Sequence, residues 1–391
     1  MTAVRSGLEV LLDRRLDLLA GRRVGLITNH TGVNRRLEST VDLLAAQPGV
    51  RLTALFAPEH GLRGDKQAAE HVPAFTDPRT GLPVYSLYGP TRETRKPAPA
   101  MLEDVDILVC DLQDGGVRYF TYLATMGYAM EAAAERGIPF VVLDRPNPIG
   151  GLAVEGNVLD ERFRSFVGAY SLPIRHGLTL GEIAHFLNEQ YRIGADLIVV
   201  PMEGWRRGMY FWDTGLPWVQ PSPNIPSPMT LVVYPGTCLF EGTNLSEGRG
   251  TTRPFEWIGA PWIDAYAWAE TMNKLDLPGV RFRPVYFTPT FSKHQGVPCQ
   301  GVEVHVTDPR AFRPVATGLH LLATARAQNE KAFSWVPPLG EGGEWFIDLL
   351  AGTDELRLAL EAGRAVTDLI AAWDDAASEW SRRREAYFMY R

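Results

Sequence analysis

Four runs in the first part of the chain are apolar without alternation: residues 23–30 (RVGLITNH), 52–60 (LTALFAPEH), 105–114 (VDILVCDLQD) and 139–148 (PFVVLDRPNP). Unbroken hydrophobicity predicts strands buried on both faces. Between them the spacing becomes helical near 38–47 and 120–136, and the second stretch ends at Arg136-Gly137, a favourable helix terminus. Alternating strands and helices predict a parallel sheet with helices on both sides. A Gly-rich passage over 150–178 follows, then a helix expected to begin after Thr179, a good N-cap. Beyond it the pattern predicts a second α/β block. Its strands are expected at 196–202, 231–240, 280–291 and 301–308, and its helices near 262–275, 310–328, 353–372 and 376–386. The expected fold is therefore α/β, with a Rossmann-like parallel sheet in a domain over 1–165 and a smaller α/β domain over 166–391.

Ligands of such sheets bind beyond the carboxyl ends of the strands. Here those ends carry Asn29 and His30, Glu59 and His60, Asp111, Gln113 and Asp114, and Asp144. The first turn, TNHTGVN, lacks the G-x-G-x-x-G of dinucleotide sites, so no nucleotide cofactor is expected. A chain of 391 residues with a formal charge of -7 and 45% hydrophobic residues has ample material for two cores but no basic field for nucleic acid. Its three cysteines form no metal-spaced pair and suit a reducing compartment. The N-terminus has charges where a signal peptide needs an apolar stretch, and no apolar run is long enough to span a membrane; a cytoplasmic address is expected.

Three stretches carry candidate chemistry. In LFAPEHGLRGD (55–65), Glu59 follows an apolar strand with His60 and Arg63 beside it. A carboxyl desolvated there suits a general acid, although an ion pair with Arg63 would equally account for it. In LFEGTNLSEGRGTTRPFE (239–256), Glu241, Asn244, Glu247, Arg249 and Arg253 are interleaved with glycines. Paired carboxylates among donors fit a sugar better than a phosphate, and an internally bonded loop is the alternative. DLQDGGVRYFTYLATM (111–126) sets Arg118 and Tyr119 beside Asp111, Gln113 and Asp114, suiting a sugar ring or the inner face of a helix. His30, His60, Asp111 and His176 could converge on a metal, but no H-x-x-x-H or H-E-x-x-H spacing occurs and none is expected. A serine nucleophile lacks its G-x-S-x-G.

Taken together, GLITNHTGV, LFAPEHGLRGD, DLQDGGVRYFTY, LDRPNPIGG, SFVGAYSLPIRHGLT, PSPNIP and YPGTCLFEGTNLSEGRGTTRPFE resemble the exo-β-N-acetylmuramidase (NamZ/YbbC-like) family over most of residues 20–310. The resemblance implies a glycoside hydrolase that releases β-linked N-acetylmuramic acid from the non-reducing end of peptidoglycan fragments, for cell-wall recycling. It implies a cleft between the two domains, and Glu59 as general acid. Glu241, Glu247 or Asp111 would supply the second carboxylate. Asn29, His30, His60, Gln113, Asp114, Tyr119, Asp144, His176, Asn224 and Asn244 are expected to bind the saccharide. The lactyl carboxylate of muramic acid needs a cation, to be drawn from Arg63, Arg118, Arg175, Arg249 and Arg253. Family members are often exported, which contrasts with this N-terminus. A non-catalytic muropeptide- or sugar-binding protein is the competing reading; retention of Glu59 with the whole Gly/Glu/Arg loop favours catalysis.

Overall fold

The computed structural model describes residues 3–67, 70, 73–338 and 342–391. The four apolar runs become β1 (Arg23–Thr28), β2 (Arg51–Ala57), β5 (Ile107–Asp111) and β6 (Phe140–Leu143). The short β3 (Phe75–Thr76) and β4 (Pro83–Ser86) lie between β2 and β5. Two further strands, β7 (Glu155–Val158) and β8 (Pro173–Arg175), pair antiparallel to each other. With β9 (Leu197–Val200), the main sheet runs in the order β3-β4-β2-β1-β5-β6-β9, parallel throughout except for the β3–β4 edge. The chain winds one way from β1 to β2 and β4, then returns to the other side of β1 with β5. The crevice rule therefore points to the ends of β1 and β5.

Thr179 caps the helix Leu180–Gln190 through a full capping box with Glu182. The helix Tyr122–Arg136 ends at Gly137 in the left-handed conformation, φ 65°. The rest of the chain supplies a three-stranded antiparallel sheet, β10 (Trp257–Ala260), β11 (Val280–Phe287) and β12 (Cys299–Val306), in the order β10-β12-β11 with helices against it.

Three expectations are corrected. Residues 231–240 are not a strand but most of the helix Pro228–Thr237 and the turn after it. Ser227 caps that helix through the Thr230 amide and Pro228 occupies its first turn. Because every residue from Thr230 to Thr237 is buried, the run shows no period that could separate helix from strand. The strand at 196–202 belongs to the main sheet, beside β6, rather than to the second block. The helices expected over 353–372 and 376–386 are divided differently, as Glu355–Glu361 and Val366–Arg383. One continuous core runs under both halves, from Phe56 and Tyr122 through Tyr234 and Phe240 to Trp268 and Trp380.

Candidate active site

Beyond the end of β2 lies a cavity of about 400 Å³ whose wall includes Glu59, His60, Tyr119, Glu241 and Arg249. The β2 strand delivers Glu59 by way of a tight turn, in which the Gly61 amide donates to the Pro58 carbonyl at 3.0 Å. His60 sits in that turn at φ 72°, a conformation side chains rarely adopt, and is 5% exposed. Backbone strain held beside a cavity is a common mark of a functional turn. The His60 ring is fixed by its Nδ1 contact with the Lys66 carbonyl at 2.8 Å. Burial holds His60 below its ordinary pKa, opposed by the neighbouring Glu59 and reinforced by Arg249, so the ring is neutral near pH 7. Half-buried Glu59 accepts a hydrogen bond from Thr121 Oγ1 at 2.6 Å. Thr121 is the N-cap of Tyr122–Arg136, yet its hydroxyl makes no capping bond. A cap is worth about 1 kcal/mol, and here the hydroxyl orients a carboxylate instead.

A further part of the wall comes from the loop after Pro228–Thr237. Arg249 donates to Glu241 at 2.6 Å and contacts Glu247 at 3.2 Å, and lies 5.0 Å from the Phe255 ring centre. The two carboxylates hold the guanidinium firmly charged. Glu247 also accepts from Lys293 Nζ at 3.0 Å, and the same ammonium binds the carbonyls of Phe240 and Leu245. The glycines on either side of Arg249 are required by the loop's shape. Gly248 and Gly250 have φ of 80° and 78°, and a Cβ on either would stand 2.6 Å from a carbonyl oxygen, of Trp257 and Phe291 respectively. The expected pairing of carboxylates thus resolves into two roles. Glu241 lines the cavity, while Glu247 is 2% exposed and braces Arg249 from behind.

Aromatic rings complete the wall. Tyr119 and Tyr234 meet edge to face at 5.5 Å, and Tyr234 meets Phe255 likewise at 4.7 Å. Tyr119 donates its hydroxyl to the Pro235 carbonyl, so it offers the cavity its ring. Tyr88, Arg95, Ser165, Phe166 and Phe346 also line the cavity, although the reading of the sequence singled out none of them as a site residue. They come from three separate segments, and only folding brings them together.

Several expected residues lie elsewhere and serve the scaffold. Asp111 is bound by Arg145 at 2.5 and 2.9 Å and by Thr40, wholly buried. Asp144 accepts bonds from Tyr390, Thr179 and the Gly181 amide at 2.6, 2.7 and 2.9 Å, and burial raises it to about 6. Arg118 donates to four carbonyls, Arg175 pairs with Glu155 at 2.9 Å, and Arg253 with Glu256 at 3.0 Å. Arg63 pairs with Asp77 and not with Glu59. Asn29 bonds Tyr122 and its own turn, Gln113 the Pro146 carbonyl, and Asn244 the backbone of 332 and 334. Asn224 donates to Gln67 at 3.0 Å. His30 contacts the Gln220 carbonyl at 2.7 Å, and His176, buried, is pushed down to about 3. Asp114 is buried, accepts from the Gly116 amide at 2.8 Å, and is raised to about 7 by desolvation. Of the five expected cations, Arg249 alone is among the residues lining the cavity. Among the described residues no group of three His, Cys, Asp or Glu could hold a metal, and no helix is long and apolar enough to cross a membrane.

Comparison with known proteins agrees across the whole chain. The model for the N-terminal part of exo-beta-N-acetylmuramidase NamZ matches residues 24–229, and that for its C-terminal part matches 232–390. Peptidoglycan beta-N-acetylmuramidase NamZ of Bacillus subtilis (strain 168) is 50% identical over 387 residues, 99% of this chain and 91% of that protein. Two crystal structures of DUF1343 family proteins from Bacteroides fragilis NCTC 9343 share the fold. One has a TM-score of 0.91 at 40% identity, covering 100% of both chains; the other has 0.78 at 29%, covering 100% of this chain and 99% of that one.

Proposed function

This chain belongs to the exo-β-N-acetylmuramidase NamZ family, and from that premise we propose that it is a glycosidase hydrolysing β-linked N-acetylmuramic acid from the non-reducing end of peptidoglycan fragments, in the service of cell-wall recycling. The observation that carries the reading is the pair of carboxylates on one aromatic-walled cavity: Glu59, oriented by Thr121, and Glu241, ion-paired to Arg249.

Glu59 acts as the general acid. As the bond from the anomeric carbon to the glycosidic oxygen breaks, its proton passes to that oxygen and the aglycone leaves as an alcohol. Glu241 is the anionic partner, stabilising positive charge at the anomeric centre. It does so by activating water, by direct attack, or by orienting the substrate's own acetamido group. The first requires carboxylates about 6.5–9.5 Å apart and inverts; the second requires about 5–5.5 Å and retains. The neutral His60 ring and the Tyr119, Tyr234 and Phe255 rings supply apolar faces for the sugar and reduce its contact with water.

The test is release of N-acetylmuramic acid from its β-linked disaccharide with N-acetylglucosamine by the wild type and by Glu59→Gln. Turnover by the wild type and its loss in the variant, with sugar binding retained, supports the reading. Binding without turnover by the wild type would favour a sugar-binding protein. NMR of the first-formed anomer separates inversion from retention.

A further inference from the structure

Another part of the cavity wall is remote in sequence from both carboxylates. Arg95 lines it, and its guanidinium lies 4.2 Å from the centre of the Phe166 ring. Arg95 Nε donates to the Gly89 carbonyl at 2.6 Å. Its partners among the described residues are that carbonyl and that ring, with no carboxylate. Its neighbours differ, since Arg92 and Lys96 are ion-paired to Glu131 and Glu135. Phe166 is itself held by Tyr88 and Tyr128, with ring centres 5.8 and 6.4 Å away. The guanidinium therefore rests on a fixed platform, with its two Nη groups uncommitted among the described residues. Ser165, next to Phe166, lines the same cavity, and its shielded Oγ has no hydrogen-bond partner among those residues.

A shielded hydroxyl left without an acceptor is costly unless a ligand satisfies it. Arg249, the cavity's other arginine, is already neutralised by Glu241 and Glu247. A stacked, half-buried guanidinium with its Nη groups available is the geometry that recognises a planar anion in a bidentate manner. On the muramidase reading, the substrate carries one such group on the sugar itself, the carboxylate of the 3-O-lactyl ether.

We propose that Arg95, braced by Phe166 and assisted by Ser165, forms the subsite that binds the lactyl carboxylate and so distinguishes muramic acid from glucosamine. This inference rests on the proposed function, and the two fail differently. Arg95 is a specificity-determining residue and takes no part in the proton transfer assigned to Glu59.

The experiment compares wild type, Arg95→Gln, Arg95→Lys and Ser165→Ala on three aryl β-glycosides: the N-acetylmuraminide, its lactyl methyl amide and the N-acetylglucosaminide. Titration calorimetry with free N-acetylmuramic acid and N-acetylglucosamine runs beside it, and circular dichroism checks the fold. A charge-assisted bidentate contact predicts a roughly ten- to hundredfold loss of kcat/KM on the muraminide in Arg95→Gln, mostly in KM, with a smaller loss in Arg95→Lys. The methyl amide, already uncharged, should lose no more than about twofold. Equal losses on charged and uncharged substrates by folded variants would overturn the subsite. No turnover of any muraminide by the wild type would overturn the proposed function instead. In that event the subsite stands only if Arg95→Gln still abolishes preferential binding of N-acetylmuramic acid, and falls if it does not.

Discussion

Replacing Arg118 by methionine should unfold the protein far more readily and leave the chemistry of the folded fraction nearly intact. The guanidinium is fully buried, and its Nη atoms donate to the carbonyls of Asn157, Leu172, Leu350 and Ala351 at 2.9, 2.8, 2.9 and 2.7 Å. Hydrogen bonds to a charged group contribute about 1.5–3 kcal/mol each, so the set is worth roughly 6–12 kcal/mol before costs. The main cost is visible in the pKa, which burial pushes down to about 10 and which corresponds to about 3 kcal/mol. Methionine recovers that cost and fills part of the volume, but takes the guanidinium donors from four buried carbonyls, of which that of Leu172 keeps the Leu159 amide at 3.2 Å. The expected net loss is about 3–5 kcal/mol, the range for breaking a buried charged network. Urea unfolding followed by tryptophan fluorescence measures it, with kcat/KM on an aryl N-acetylmuraminide taken in the absence of urea. An unchanged urea midpoint together with a hundredfold fall in kcat/KM would refute the scaffold role and return Arg118 to the substrate.

Glu59→Gln should reduce kcat about 10²- to 10⁴-fold on the disaccharide, whose leaving alcohol needs a proton, and much less on a nitrophenyl glycoside; equal losses would exclude general-acid catalysis. Thr121→Val removes the 2.6 Å bond to Glu59 and should lower kcat about tenfold at unchanged KM; a change confined to KM would place Thr121 in binding. Asp114 bears on stability against pH. Its folded pKa of about 7 lies above its ordinary 3.8, so the folded state holds the extra proton and the benefit present at low pH is lost as pH rises towards 7. Asp114→Asn should therefore gain on the wild type between pH 4 and pH 8, by up to about 4 kcal/mol in urea titrations, and a pH-independent difference would contradict this. Arg249→Met leaves Glu241 and the 2%-exposed Glu247 without their shared cation, and should cost about 3–5 kcal/mol of stability and more than tenfold in kcat. Wild-type-like behaviour in both measurements would show that the loop is held by Lys293 alone.

The parallel sheet was legible because strands buried on both faces leave unbroken apolar runs, and Thr179 and Gly137 were legible because caps depend on local chemistry. The helix at Pro228–Thr237 was not, since total burial erases the period that distinguishes helix from strand. Strand-end polarity pointed to the end of β2, where Glu59 and His60 line the cavity, but could not assign duties among the other strand ends. Asp111 and Asp144 look like Glu59 in sequence, and only their partners, Arg145 in one case and Tyr390, Thr179 and Gly181 in the other, identify them as fasteners. Arg95 escaped notice because its significance lies in lacking a carboxylate among the described residues, and a missing contact leaves no trace in a linear string.

The core that passes beneath both halves also bears on how such a protein can change over generations. The faces that would part if the halves were separated carry Tyr119, Phe120 and Tyr234, buried rings that meet across them with centres 5.5 and 6.2 Å apart. A half transplanted onto a relative's counterpart would meet rings of the wrong size across that seam, and the cavity wall is made from several of those rings. Recombination near residue 230 should thus be poorly tolerated despite the two separable family signatures, and new specificities are more accessible through point changes at the rim than through exchange of whole segments.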